Sequence, residues 1–275
     1  MERFVMKKFL STPLINIIAL CGLLGSALMW HSSAYAAANI HFSKYRFVFD
    51  DTLRQDSLIL SNAGINAATC TMSSENFIMT EQGPTKLATK EDKDKITNSA
   101  EKIIRFSPRR VTINPSNRQT VRIASRRKPN IDDGEFLSYL KISCQEQANP
   151  NQPQASQIAV NANFVYYIPI QVRVGKLTAS TRIENAKITE ANGVYALSFD
   201  QFREGSRSVV GKIDITEKKS GNSLGVVNNT VIYTPFTKKQ YKINLKSAPD
   251  GPVEITFNEE QITRGTLTAK AEVQR

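Results

Sequence analysis

Apolar residues recur at every second position along most of this chain, and the longest such row is "IAVNANFVYYIPIQVRV". There Ile158, Val160, Ala162, Phe164, Tyr166, Ile168, Ile170, Val172 and Val174 are all apolar, which is the period of a β-strand with one face on an apolar surface. A strand averages about 5–6 residues, so residues 158–174 predict either two strands joined at a bend or one long strand that outruns its own core. Pro169 marks the place for a break. Proline donates no ladder hydrogen bond and belongs at an edge, an end or a bulge, so the residues before it are expected on an exposed sheet margin. An open margin with an apolar row attracts another chain unless the protein covers it.

Shorter alternating runs with turn residues between them fill the rest. In the first half they are "RFVFD", "DSLILSN", "ATCTMSS", "KIIRFSP", "QTVRIAS" and "FLSYLKISC", and the long row makes a seventh strand. The second half has "YALSFDQF", "VVGKIDIT", "NTVIYTP", "QYKINLK", "VEITFN" and "TLTAKAEVQ", separated by turns such as Ala191-Asn192-Gly193, Ser220-Gly221-Asn222 and Pro249-Asp250-Gly251-Pro252. The pattern predicts an all-β protein of two immunoglobulin-like β-sandwich domains, residues 37–174 and 175–275, with a hinge at Gly175-Lys176. The polar segment "TKLATKEDKDKITNSAEK", residues 85–102, alternates in charge and is expected to be a mobile insertion in the first domain.

The N-terminus changes this picture by fixing the compartment. Arg3, Lys7 and Lys8 precede an apolar run from Leu14 to Trp30, and Ala34-Tyr35-Ala36 is a small-residue cleavage site. Residues 1–36 therefore read as a secretory signal peptide, with an uncleaved anchor as the competing reading. In "IALCG", Leu20 stands where a lipoprotein signal has a small residue, which argues against lipidation of Cys21. Removal of this segment leaves Cys70 and Cys144 in a chain bound for an oxidising compartment, where an even count points to one disulfide. Both lie in strands that neighbour each other in a seven-strand immunoglobulin topology, so the expected bridge is cross-strand. It would close a loop of 144 − 70 = 74 residues, a constraint of roughly 4–5 kcal/mol in the chain-entropy model.

Charge and chemistry narrow the function by exclusion. The whole chain carries +11, and without the signal the balance is (36 − 3) − (25 − 1) = +9. The one dense basic cluster, "SRRKPN" at Ser125–Asn130, reads as a solvated loop, and no nucleic-acid partner is expected of a secreted chain. His41 is the only histidine beyond the signal, so no Ser-His-Asp or Cys-His set can be assembled. No metal-ligand spacing and no glycine-rich phosphate loop occurs. The expectation is a protein that is not an enzyme, with no catalytic residues, no cofactor, no metal, and no stable membrane insertion after signal removal.

Several stretches, in their order and spacing, are similar to the PapD-like periplasmic chaperones of the chaperone-usher pilus pathway. They are "YRFVFDD" (Tyr45–Asp51), "RFSPRRVTINPSNRQTVRI" (Arg105–Ile123), "GEFLSYLKIS" (Gly134–Ser143), "IPIQVRV", "REGSRSVVGKIDIT" and "VIYTPFTKKQYKINL". The resemblance covers most of the chain after the signal, and its "IPIQVRV" ending is more like the non-classical branches of that family. It implies two immunoglobulin-like domains set at an angle, a periplasmic location, and pilus or fimbrial subunits and an outer-membrane usher as partners. It also implies donor-strand complementation, in which the chaperone lends its seventh strand to a subunit that lacks one, a form of β-augmentation.

On that resemblance the donor residues are Ile158, Val160, Ala162, Phe164 and Tyr166. Burying a large apolar side chain stabilises by about 1.5–3 kcal/mol, so three or four of them contribute roughly 5–12 kcal/mol before ordering costs. The alternative is that this face packs only on the protein's own second sheet. The family also holds the subunit's terminal carboxylate with two basic residues. Arg46 matches the first; where the family has a lysine in the seventh strand this chain has Phe164 or Pro169, and Arg173 is the nearest basic candidate. The runner-up function is a secreted two-domain adhesin or structural pilus subunit, which should lack its own seventh strand.

Overall fold

In a computed structural model the described residues are 39–147 and 163–274, and among them there is no α-helix. The strands form two sandwiches. In the first, β1 (Ile40–Phe42), β3 (Gln55–Asn62), β9 (Arg118–Ser125) and β7 (Ile104–Ser107) make one sheet in that order. The facing sheet runs β2 (Phe47–Phe49), β11 (Asn163–Val174), β10 (Gly134–Glu146), β4 (Ala68–Glu75), β8 (Arg110–Ile113). A hairpin of β5 (Phe77–Thr80) and β6 (Gly83–Leu87) is added to these sheets. The second sandwich packs β12 (Ala179–Ala191), β13 (Val194–Gly205) and β16 (Lys238–Asn244) against β15 (Ser223–Ile232), β14 (Val209–Glu217), β17 (Val253–Glu259) and β18 (Thr268–Val273).

Each sandwich has its own core. Phe47, Phe49, Leu58, Leu60, Ile123 and Leu140 are buried in the first, and Phe199, Ile213, Ile215 and Phe257 in the second. The expected runs coincide with strands, and the strands that alternation did not reveal are those where it has no room or is broken. β1 and β8 are three and four residues long. In β12 a bulge between Glu184 and Lys187 shifts the phase, with Asn185 at a φ of 56°. Gly175, between β11 and β12, has a φ of 75°, and a Cβ there would lie 2.1 Å from the Asp133 carboxyl group, so this connection requires glycine.

The choice at Pro169 is decided, and one expectation changes. β11 runs through Pro169 without a break, pairing it with Tyr139 of β10. The missing N–H is harmless because β2 covers the other side of β11 only at Ile170, Gln171 and Val172. The charged segment 85–102 carries structure: β6 and a 3-10 turn at Lys90–Lys95. Its centre is the buried Asp92 carboxylate, which accepts from Lys95 Nζ (2.8 Å), Lys86 Nζ (3.2 Å) and the Thr89 N–H (3.2 Å). Partners drawn from one short segment are enough to fold it back on itself.

Candidate functional site

The N-terminal strand switches sheets. β1 pairs antiparallel with β3, and four residues later β2 pairs in parallel with β11, Phe47 opposite Ile170 and Phe49 opposite Val172. Residues 163–169 of β11 therefore pair with β10 alone among the described residues, and their other edge is open. The even-numbered side chains of β11 face the first core. Ile168, Ile170 and Val172 are fully enclosed, whereas Phe164 and Tyr166 are half-buried. Tyr166 packs on Phe42 with ring centroids 4.7 Å apart. The strand thus leaves its own core as it is followed back toward residue 163. Ile158, Val160 and Ala162 lie outside the described residues.

Arg46 stands at the end of the open edge, immediately before Phe47. It is only 6% exposed. Its Nη1 donates to Gln171 Oε1 and to the Tyr233 hydroxyl, and its Nη2 to Asn229 Oδ1, each at 3.1 Å. Tyr233 also lies under the guanidinium, 5.9 Å from ring centroid to Cζ. All three acceptors are neutral, and among the described residues no carboxylate lies within 4.0 Å of Arg46. Tyr139 sits beside Tyr233; burial first, and then the neighbouring Tyr233, push its hydroxyl far above the usual phenol range, so it stays a neutral donor. Next to these aromatics a cavity of about 260 Å³ is lined by Phe77, Met79, Leu137, Tyr139, Pro235 and Phe236.

Arg173 does not share this setting. It is buried at the joint between the sandwiches, where Nε donates to Glu135 Oε2 at 2.9 Å, Nη1 to the Thr263 carbonyl at 2.5 Å and Nη2 to the Ser208 carbonyl at 3.4 Å. Glu135 is its cross-strand partner in β10 and also accepts the Ser208 N–H at 3.0 Å and the Ser208 hydroxyl. Arg173, the expected second carboxylate anchor, thus has an internal carboxylate as its partner. Arg264 extends the joint at the surface, donating to Asp50 at 2.7 Å and to the Thr52 hydroxyl at 2.5 Å. Burial pushes the Asp50 carboxyl up, but the Leu53 N–H, the Thr52 hydroxyl and N–H, and Arg264 outweigh it and hold it below the usual range.

Cys70 and Cys144 are bonded and directly opposed across β4 and β10, with Cα atoms 4.0 Å apart. In the same cross-strand row Cys144 faces Phe164 of β11, so the bridge lies level with the first described turn of the open edge.

Alternation and turn signals led to β11, the cysteines and, through the resemblance, Arg46. They missed Gln171, Tyr139, Asn229, Tyr233, Glu135 and Ser208. Gln171 could have been found as Arg173 was, as a polar residue inside an otherwise apolar strand. Asn229 could not: it is aimed at Arg46 by a bulge in β15, whose register shifts opposite Gly211–Ile213, and has a φ of 51°.

No protein-family model and no curated protein matches the sequence. In structure the chain is similar to solved pilus-assembly chaperones. The CupB2 chaperone of Pseudomonas aeruginosa is 13% identical, with 86% of this chain and 98% of that chain covered and a TM-score of 0.45. A structure of the Salmonella enterica SafA pilin in complex with the SafB chaperone gives 12%, 88%, 99% and 0.47. The CsuC–CsuE chaperone–tip adhesion subunit pre-assembly complex of Acinetobacter baumannii archaic Csu pili gives 11%, 86%, 98% and 0.44.

Proposed function

We propose that this protein is a periplasmic chaperone of the PapD-like kind, which caps pilus or fimbrial subunits by strand donation from β11 and passes them to an outer-membrane usher. The observation that carries the reading is the open edge of β11 at residues 163–169, closed at one end by a buried arginine with no counter-ion among the described residues. The sequence stretches similar to that family, quoted above, agree with it.

Geometry also supports a direction for the incoming strand. β2 is parallel to β11, so a guest strand running the same way along residues 163–169 would bring its C-terminus to Arg46. A strand running the other way would bring an ammonium group to a guanidinium. A carboxylate gains charge-assisted hydrogen bonds at this place, and like charges there are repelled. The donated side chains in this reading are Ile158, Val160, Ala162 and Phe164. Tyr166, which packs on Phe42, belongs mainly to the protein's own core. Arg46 holds the subunit terminus, and Arg173 holds the two sandwiches together.

The test is purification of the C-terminally tagged protein from periplasm after expression with its neighbouring genes, with every co-purifying chain identified by mass. A one-to-one complex with a fimbrial-type subunit is expected, lost in Phe164→Asp while secretion and the disulfide persist. Normal capture by Phe164→Asp removes β11 as the donor; a lone monomer or a self-assembled fibre removes the chaperone reading.

A further inference from the structure

Gln171 is fully buried, and its Nε2 has no hydrogen-bond partner, although its Oε1 accepts from Arg46. An unpaired buried amide carries its full desolvation penalty. Arg46 is short of partners as well. Of the five N–H donors of a guanidinium, the described residues take up three, and all three acceptors are neutral oxygens. Two adjacent side chains, one just before β2 and one in β11, therefore hold unspent donors, one charged and one neutral, with no carboxylate of the described residues between them. A carboxylate supplies two oxygens with about four lone-pair sites, one oxygen for each side chain.

We propose that a carboxylate at this site is held by Arg46 and the Gln171 side-chain amide together, and that the Asn229 oxygen is a neutral stand-in which the carboxylate displaces. The proposal rests on the strand-end reading above. It needs no second cation, because one guanidinium and one carboxylate close the site at zero net charge. Arg46 is covered from the second sandwich by Asn229 and Tyr233, so the ligand must replace a contact and cannot simply be added. Asn229 is the contact to lose. It is the exposed one of the three acceptors, held at a bulge in β15. Gln171 and Tyr233 are fixed by their burial, at 0% and 5% exposure.

The experiment titrates an N-acetylated heptapeptide of alternating valine and threonine into the isotope-labelled protein, once with a free C-terminal carboxylate and once as the C-terminal amide. Side-chain N–H resonances of Gln171 and Arg46 are followed. The acid peptide is expected to move both, and the amide to bind about tenfold more weakly and leave the Gln171 pair in place. Asn229→Gly, which tolerates the left-handed backbone and removes the competing oxygen, should tighten the acid peptide several-fold. Movement of the Arg46 signal with Gln171 unmoved overturns this inference and leaves the strand-end reading standing. If neither moves with the acid peptide, both fall. Weaker binding of the acid peptide by Asn229→Gly overturns the stand-in role.

Discussion

Arg46 and Arg173 are both buried, both reach across from the first sandwich to the second, and both use their guanidinium to bond three or more groups. They differ in what answers the charge. Arg173 meets Glu135 and two carbonyls, so the ion is neutralised where it sits; Arg46 meets an amide, a phenol and another amide. A buried charge with its counter-ion in place behaves as a fastener, since removing either partner strands the other. A buried charge surrounded only by dipoles is tolerated at a cost, and that cost is recovered when an anion arrives. The same residue type thus serves cohesion at Arg173 and, on the reading proposed above, reception at Arg46.

Glu135→Ala should break the contrast most violently. It leaves the Arg173 guanidinium and the Ser208 N–H without their acceptor, a loss of about 3–5 kcal/mol measurable by denaturant unfolding; a loss under 1 kcal/mol would make the two arginines equivalent. Next, replacing both Cys70 and Cys144 by alanine should cost about 2–4 kcal/mol, lowering the melting temperature while the preference for an acid over an amide peptide terminus persists. A change in that preference would place the bridge in the receiving site. Arg46→Met should do the reverse. Stability should fall by about 1–3 kcal/mol, since the buried Gln171 Oε1 loses its donor, while the acid peptide loses its advantage over the amide.

The smallest effect concerns Asp50. Its carboxyl is held below the usual range in the folded protein, so its contribution is complete above the unfolded carboxylate pKa of about 4 and fades as pH falls through the depressed folded value. Its pair with Arg264 is partly exposed. Asp50→Asn should therefore lower stability at neutral pH by about 1 kcal/mol at most, and the difference should vanish in acid. A difference that grows in acid would contradict the direction of the shift.

Much of the scaffold was legible because β-structure writes itself with a period of two. The runs around Val121 and Ile213 alternate, and each is a core strand. The cysteine pairing was legible too, since two thiols in neighbouring strands of an oxidised domain have one partner each. What stayed hidden was whatever depends on register or on contact between the sandwiches. Glu135 faces Arg173 only once β10 and β11 are aligned residue by residue. Tyr233 and Asn229 come to Arg46 from 187 and 183 residues away, and no periodicity records such a meeting. At Pro169 alternation left a bend and one long strand both open, and the long strand holds because a proline is harmless where the strand has only one neighbour.

The sheet switch of the N-terminal segment has one more consequence. Because β2 begins at Phe47 on the same edge that is open at residues 163–169, the described part of that edge, about 23 Å at roughly 3.3 Å per residue, is a blind alley closed at Phe47. On the reading proposed above, a guest chain would lie in it only if the chain stopped there, since one that continued past Arg46 would run into Phe47; such an edge would inspect chain ends. It would admit a polypeptide whose synthesis is finished and whose C-terminus is free, and turn away the same sequence carrying an extension, so that completeness of the guest is checked by the shape of the berth before any side chain is read.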